Sequence, residues 1–306
     1  MDTVNGYQIR KPFSSENAGF CRWAIGEKHG RAYFIKEFLS PKYPADDCGL
    51  SEKTIAKKRA ECEKFYNRKA KLYQAIQQCR TGNVVIIQDF FREGSKYYAV
   101  TEQVKAENLS LSQIAALPEN KKMTLIRAIL YSFSVLHSKA IVHSDVKPDN
   151  ILVKRTENNF YTGKIIDFDA SFLETEVPEE IAGDQVYLAP ETRRRMMEEP
   201  VSVTTKADIF ALGILFHQYW CGELPGCPKE YDYLFEAVLD GAEVTLSEKL
   251  PESLREQIGR MLLENPERRP GAEQILRELS GDFPGKPAEP KKPEAPTSRV
   301  KINMGK

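Results

Sequence analysis

The hydrophobic pattern changes character once, near Leu109, and that change limits the folds open to this chain. Before it, β-rich or alternating runs recur at residues 19–25, 32–38, 83–91 and 96–103, the period-two signature of half-buried strands. Lys28-His29-Gly30 supplies a turn between the first two. One long helix interrupts them over residues 51–78, with Ile55, Cys62, Phe65, Tyr66, Leu72, Tyr73 and Ile76 along one stripe. Its basic run Lys57-Lys58-Arg59 reads as a solvated face. After Leu109 the spacing predicts a helix over 121–139, short strands at 151–154 and 164–166, and mostly helix from 206 to 279, punctuated by Gly222, Pro225, Gly241, Pro266 and Pro270. The expected class is therefore α+β, with a β-rich small lobe over 1–104 and a mainly helical large lobe over 105–281.

Beyond residue 281, Pro284, Pro287, Pro290, Pro293 and Pro296 recur every third residue. Polyproline II repeats every three residues, so residues 282–306 read as a stiff extended tail or linker. It serves as a spacer, as a ligand for a proline-recognition module, or as the tether of a covalently linked C-terminal domain.

Charge and length exclude several functions. The 44 basic and 44 acidic residues cancel, so no bulk field points to nucleic acid or to a membrane surface. The most apolar stretch, residues 209–220, is shorter than the roughly 20 residues a bilayer requires. Residues 1–10 lack the apolar run of a signal peptide. The six cysteines, Cys21, Cys48, Cys62, Cys79, Cys221 and Cys227, form no CxxC pair and no zinc-ligand spacing with histidine. Reduced thiols in a cytoplasmic protein are expected.

The chemistry concentrates in Val142-His143-Ser144-Asp145-Val146-Lys147-Pro148-Asp149-Asn150. Phosphoryl transfer needs a carboxylate to orient the attacking hydroxyl and accept its proton, a cation for the transferred group, and an oxygen ligand for a metal. Asp145, Lys147 and Asn150 supply these three types within one loop. Downstream, Lys164-Ile165-Ile166-Asp167-Phe168-Asp169 is a buried-strand pattern ending in carboxylates. Asp167 is placed to bind a metal that bridges phosphate oxygens.

These residues resemble the protein-kinase signature. His143-Ser144-Asp145 with Asn150 resembles the catalytic loop, Asp167-Phe168-Asp169 the metal-binding triplet, and Ala189-Pro190-Glu191 the end of the activation segment. The resemblance covers about residues 7–281 and implies the two-lobed protein-kinase fold. It implies that Lys36, in Phe34-Ile35-Lys36, holds the α- and β-phosphates and pairs with a helix-C glutamate. Glu61 and Glu63 both sit beside the apolar stripe; Glu63 is the expected partner, although helical angles place Glu61 on the face of Phe65. Cys21, fifteen residues before Lys36, resembles the adenine-roof position, and Phe34 and Leu152 are further expected nucleotide contacts. Thr101-Glu102-Gln103-Val104 resembles gatekeeper and hinge, with backbone groups of Glu102 and Val104 on adenine. Asp208 resembles the aspartate that braces the catalytic loop, and Arg269 the arginine that pairs with Glu191. The implied cofactors are ATP and Mg²⁺ or Mn²⁺, with Asn150 and Asp167 as metal ligands.

Several positions depart from the family pattern. Of the phosphate-loop glycines only Gly19 remains, in Ser14-Ser15-Glu16-Asn17-Ala18-Gly19; Ser14 and Ser15 offer hydroxyls, while Glu16 is unfavourable near triphosphate. Phe34 replaces the small residue over adenine. Asp169 replaces the triplet glycine, and is expected either to turn to solvent, to restrict Phe168, or to add a carboxylate near the metal. Ser144 replaces the arginine that receives activation-segment phosphate. That segment offers the hydroxyls of Ser171 and Thr175 and is acidic, with Glu174, Glu176, Glu179 and Glu180; it reads as a solvated loop or, more sharply, as a preference for basic substrates. Asp184 stands where serine/threonine kinases place a threonine. The expected function is a serine/threonine protein kinase acting on protein substrates without activation-segment phosphorylation. The alternative is a pseudokinase or weakly active nucleotide-binding scaffold. A kinase-like enzyme for small molecules is a third reading, opposed by Lys147 and by residues 183–191.

Overall fold

The computed structural model describes residues 3–16, 19, 21–46, 49–104, 108–156 and 158–281. The proline-rich stretch, Asn17 and Ala18 of the expected phosphate loop, and Phe20 lie outside the described residues. The chain runs β1 (Thr3–Val4), β2 (Tyr7–Ser14), β3 (Cys21–Lys28), β4 (Arg31–Phe38), α1 (Glu52–Gln77), β5 (Ile87–Glu93) and β6 (Lys96–Glu102). There follow α2 (Leu111–Ala115), α3 (Glu119–His137), β7 (Ile141–Val142), β8 (Ile151–Arg155), β9 (Tyr161–Ile165) and β10 (Phe172–Leu173). Five helices complete it: α4 (Pro190–Met196), α5 (Lys206–Cys221), α6 (Leu234–Leu239), α7 (Glu252–Met261) and α8 (Ala272–Ser280). This is the two-lobed α+β arrangement.

The small lobe is an antiparallel sheet in the order β1-β2-β3-β4-β6-β5. The β3–β4 hairpin turns on His29 and Gly30, both at positive φ (51° and 72°), the backbone that a two-residue turn matching strand twist requires. This turn fixes the register Cys21↔Phe38, Trp23↔Lys36 and Ile25↔Phe34. Directly opposed residues share a face, so Cys21, Trp23, Phe34 and Lys36 lie on one side. The other side carries Ile35, Tyr98 and Val100, packed with Tyr7 in a small separate core.

α1 starts at Ser51, whose hydroxyl accepts from the Thr54 backbone N–H, 3.3 Å. Aromatic rings clamp it to the sheet: Phe65 meets Phe38 and Tyr97 at 5.4 and 5.2 Å between centroids, and Tyr73 meets Phe90 at 5.1 Å. Its buried face presents Cys62, Lys69, Leu72, Tyr73 and Ile76.

The apolar stretch 209–220 forms most of α5, the buried centre of the large lobe, as a helix apolar all round must be. Gly213 lets α7 approach, since a Cβ there would sit 3.0 Å from Leu262 and 3.1 Å from Met261. No helix among the described residues is long and apolar enough to cross a membrane. The two lobes join where Ile165 at the end of β9 exchanges backbone hydrogen bonds with Asn83 and Val85 (2.7 and 2.9 Å). One continuous apolar core runs from Cys21, Phe38 and Tyr73 through Phe168 and Phe133 to Phe210.

Candidate active site

The loop between β7 and β8 is pinned from below by Asp208, in the first turn of α5 and 1% exposed. Its carboxylate accepts the backbone N–H groups of His143 and Ser144 (2.8 and 2.9 Å) and contacts His137 Nε2 at 3.1 Å. Such charge-assisted bonds hold the backbone firmly, and Ser144 adopts a left-handed φ of 68°. The His143 ring is buried, with Nε2 3.0 Å from Ile166 O. Asp145 follows, with a partly exposed side chain. Its Oδ2 accepts from Asn150 Nδ2 at 2.8 Å and lies 3.0 Å from Lys147 Nζ. Asn150 Nδ2 also donates to Asp145 O, 2.8 Å, which leaves the amide oxygen of Asn150 as a hard donor suited to a magnesium-sized cation.

Beyond β9, Asp167 takes a left-handed φ of 62°, which a short polar side chain tolerates. Phe168 is buried against His143, with ring centroids 5.1 Å apart. Asp167 Oδ1 accepts from Lys36 Nζ at 2.6 Å and from the Asp169 backbone N–H at 3.2 Å. Burial opposes ionisation of Asp167, but Lys36 outweighs it and holds the carboxyl below its ordinary range. Asp169 Oδ2 accepts from Lys36 Nζ at 2.7 Å and from Cys21 Sγ at 3.4 Å. Burial alone would lower the Lys36 pKa; its two carboxylates raise it instead. Burial, then Asp169, push the Cys21 thiol well up, which favours its neutral form.

The expected pairing of Lys36 with Glu63 is not formed. Glu63 and Glu61 lie on the exposed face of α1, and Glu61 pairs with Lys57 at 4.0 Å. The aromatic clamp through Phe65 and Tyr73 sets the rotation of the helix and turns both acids outward. Lys69 occupies the inward face instead, 7% exposed. Its Nζ donates to the carbonyl oxygens of Phe168 (3.4 Å) and Asp169 (2.5 Å). Burial lowers its pKa to about 8 against the pull of Asp169. Sequence reasoning missed Lys69; the available signal was a lysine in phase with the apolar stripe.

The remaining expected contacts lie on or beside the small-lobe strands, on the chain that follows them, and on β8. Phe34 faces Thr101 across β4 and β6 and stacks on Trp23 at 5.5 Å. The Trp23 indole N–H donates to Glu16 O, 2.8 Å. Cys21 is buried, Gly19 is exposed at φ 54°, and Leu152 is half-buried in β8. The Glu102 carboxylate pairs with Lys164, and Val104 follows β6, half-buried.

The segment from Asp169 to Glu191 is held by its own chain. Ser144 Oγ donates to Ala182 O at 3.1 Å. A Cβ at residue 183 would sit 3.0 Å from Ser144 O, so glycine lets the two loops touch. Glu176 pairs with Lys71, Glu179 with Lys64 at 3.3 Å, and Glu174 accepts the Thr205 backbone N–H at 2.7 Å. The acidic run is thus largely engaged internally, contrary to a purely solvated loop. Ser171, expected as an available hydroxyl, is 5% exposed and donates to His143 O at 2.9 Å; Thr175 is exposed. Asp184 lies 3.8 Å from Lys147 Nζ, so Lys147 spans two carboxylates. At the segment's end, Glu191 makes a two-pronged bond with Arg269, 2.6 and 2.9 Å.

Comparison with known proteins agrees with this geometry. Residues 45–279 match the protein kinase domain. CDPK-related kinase 8 of Arabidopsis thaliana is 29% identical over 284 residues, which cover 88% of this chain and 45% of that protein. Calcium-dependent protein kinase 21 of the same plant is 28% identical over 303 residues, 94% of this chain and 54% of that protein. Serine/threonine-protein kinase DCLK3 of Mus musculus is 26% identical over 209 residues, 66% of this chain and 26% of that protein. The chain spans about half the length of the two plant relatives and less of the mouse one. A match over most of its residues settles the family: the chain belongs to the protein kinase domain family.

Proposed function

We propose that this chain is an ATP-dependent serine/threonine protein kinase that transfers the γ-phosphoryl group of magnesium–ATP to protein hydroxyls, with no phosphate required on its activation segment. The observation that carries this reading is the joined constellation itself. Asp145, Lys147 and Asn150 are linked on one loop, and Lys36 pairs with Asp167 at the end of the adjoining strand. Asp145 orients the substrate hydroxyl and accepts its proton, and Lys147 screens charge on the transferred group. Lys36 holds nucleotide phosphate. Asn150 Oδ1 and the Asp167 carboxylate are the hard oxygen donors that would hold magnesium. Bound magnesium supplies charge neutralisation at the phosphate oxygens. Lys147, two residues after Asp145, favours serine and threonine as acceptors.

The stack of Phe34 on Trp23 where adenine is expected, and Glu16 in the phosphate loop, favour the second reading, a nucleotide-binding scaffold. Incubation with ATP and magnesium followed by mass spectrometry separates the two. Phosphoserine or phosphothreonine on the protein or an added substrate is expected. Stabilisation by ATP with no phosphate transferred would establish the scaffold instead.

The held activation segment makes a further prediction. Thr175 is its exposed aliphatic hydroxyl, whereas Ser171 serves the fold. Thr175→Ala is expected to keep phosphoryl transfer within about twofold of wild type, the scale of a neutral surface change. A loss of tenfold or more with the fold intact would show that phosphorylation of Thr175 drives activation.

A further inference from the structure

We propose that Asp169 is the residue that positions Lys36 for nucleotide phosphate, and that Lys69 of α1 locks Asp169 in place. In this chain the acid of the family's lysine–glutamate pair would then have moved off the helix and into the metal-binding triplet. The part concerning nucleotide rests on the kinase reading above; the ion pair itself does not.

In kinases the strand lysine pairs with an acid on helix C. Here the inward face of α1 offers a cation, Lys69, and both candidate acids point to solvent. A second ammonium cannot neutralise Lys36. Lys36 Nζ meets Asp167 at 2.6 Å, the carboxylate assigned above to the metal, and a second carboxylate at 2.7 Å from Asp169, at the position where a glycine would carry no side chain; Asp169 takes the place of the helix acid. Lys69 then acts on the same residue from behind, through the carbonyl oxygens of Phe168 and Asp169. The two departures from the family pattern are complementary. With both present, the cluster holds two cations (Lys36, Lys69) and two carboxylates (Asp167, Asp169), and its charges balance. A glutamate at 69 alone would set three carboxylates round Lys36. A glycine at 169 alone would leave two ammonium groups with one carboxylate. Lys69 is buried and the other three groups are partly so; uncompensated charge in such a site is unfavourable, so each change favours the other. A further consequence is that the polar link from α1 to Lys36 runs through the backbone of the triplet and the Asp169 carboxylate.

Two measurements on the full chain test this. The first is ADP affinity in the presence of a metal chelator. Asp169→Asn is expected to weaken it about tenfold, the size of one charge-assisted hydrogen bond. Unchanged metal-free affinity would show that Asp169 serves a metal or nothing, and would overturn the proposal. Lys69→Glu should weaken binding at least as much, and the exchange Lys69→Glu with Asp169→Gly should restore it to within about threefold of wild type. Should Lys69→Glu alone not fold, a folded, ADP-binding double variant reads the same exchange. A double variant that binds no better than the worse single one, or does not fold, overturns the role of Lys69. The second measurement needs no nucleotide: the thermal midpoints of Lys36→Met, Asp169→Asn and their combination. The combined loss should be clearly smaller than the sum of the two single losses, because the partners are coupled. Additive losses would remove the ion pair. A wild-type chain that binds no ADP would count against the kinase reading, and this cycle would still decide the pair.

Discussion

Asp145→Asn is expected to slow phosphoryl transfer by about 10²–10⁴, the usual contribution of a positioned general base, while leaving nucleotide binding in place. The substitution keeps the shape of the side chain and removes its charge and basicity. Asp145 Oδ2 is the meeting point of Asn150 Nδ2 and Lys147 Nζ, so the neutral amide also loosens the cation it holds. The Lys36 ion pairs with Asp167 and Asp169 share no bond with Asp145, and loss of the proposed base should therefore appear in turnover and not in affinity. Transfer of radiolabel from γ-labelled ATP to a protein acceptor measures the first; the ATP-induced thermal shift measures the second. Equal incorporation by wild type and variant would sink the assignment of Asp145 as base. Loss of the ATP shift as well would mean that the loop, and not the proton transfer, had been damaged.

The parts of this site legible in the sequence are those fixed by local chemistry. His29-Gly30 announces its turn because only a pair of residues at positive φ closes that hairpin. The mostly apolar run 209–220 was legible as part of a helical region, whereas Asp208 in its first turn was assigned through the family resemblance. The catalytic loop carries its three functional groups within six residues, so a short loop brings them together once its ends are held. Glu63 was misplaced because the rotation of a 26-residue helix is set by tertiary contact. Phe65, Tyr66 and Tyr73 dock on Phe38, Phe90 and Tyr97, and a rotation of about one residue decides which side chains of α1 turn inward. A lysine on an apolar stripe ordinarily extends its ammonium to solvent; Lys69 instead meets two carbonyl groups of a distant segment. Ser171 looked available because its burial depends on the path of a loop, which no periodicity encodes.

Arg269→Met should cost about 3–5 kcal/mol of folding stability, the range found when one partner of a buried ion pair is removed. Arg269 is 1% exposed. Its five N–H groups are all used: Nη1 and Nη2 bind the two oxygens of Glu191, and Nε, Nη1 and Nη2 donate to Leu263 O, Lys206 O and Glu264 O at 2.7, 2.9 and 2.8 Å. Methionine fills much of the volume but leaves the Glu191 carboxylate and three carbonyl groups without their donor. Most of the loss is therefore a desolvation penalty on the groups left behind. Glu191→Gln together with Arg269→Met should be less destabilised than the two single losses added, since the stranded charge is then gone. The same bonds tie Glu191, at the end of the activation segment, to the start of α5 and to the turn before α8, so the single variant should also lose transfer activity at temperatures where wild type is fully folded. Urea denaturation gives the stability and the radiolabel assay the activity. A midpoint for Arg269→Met within experimental error of wild type would show that this pair does not anchor the segment.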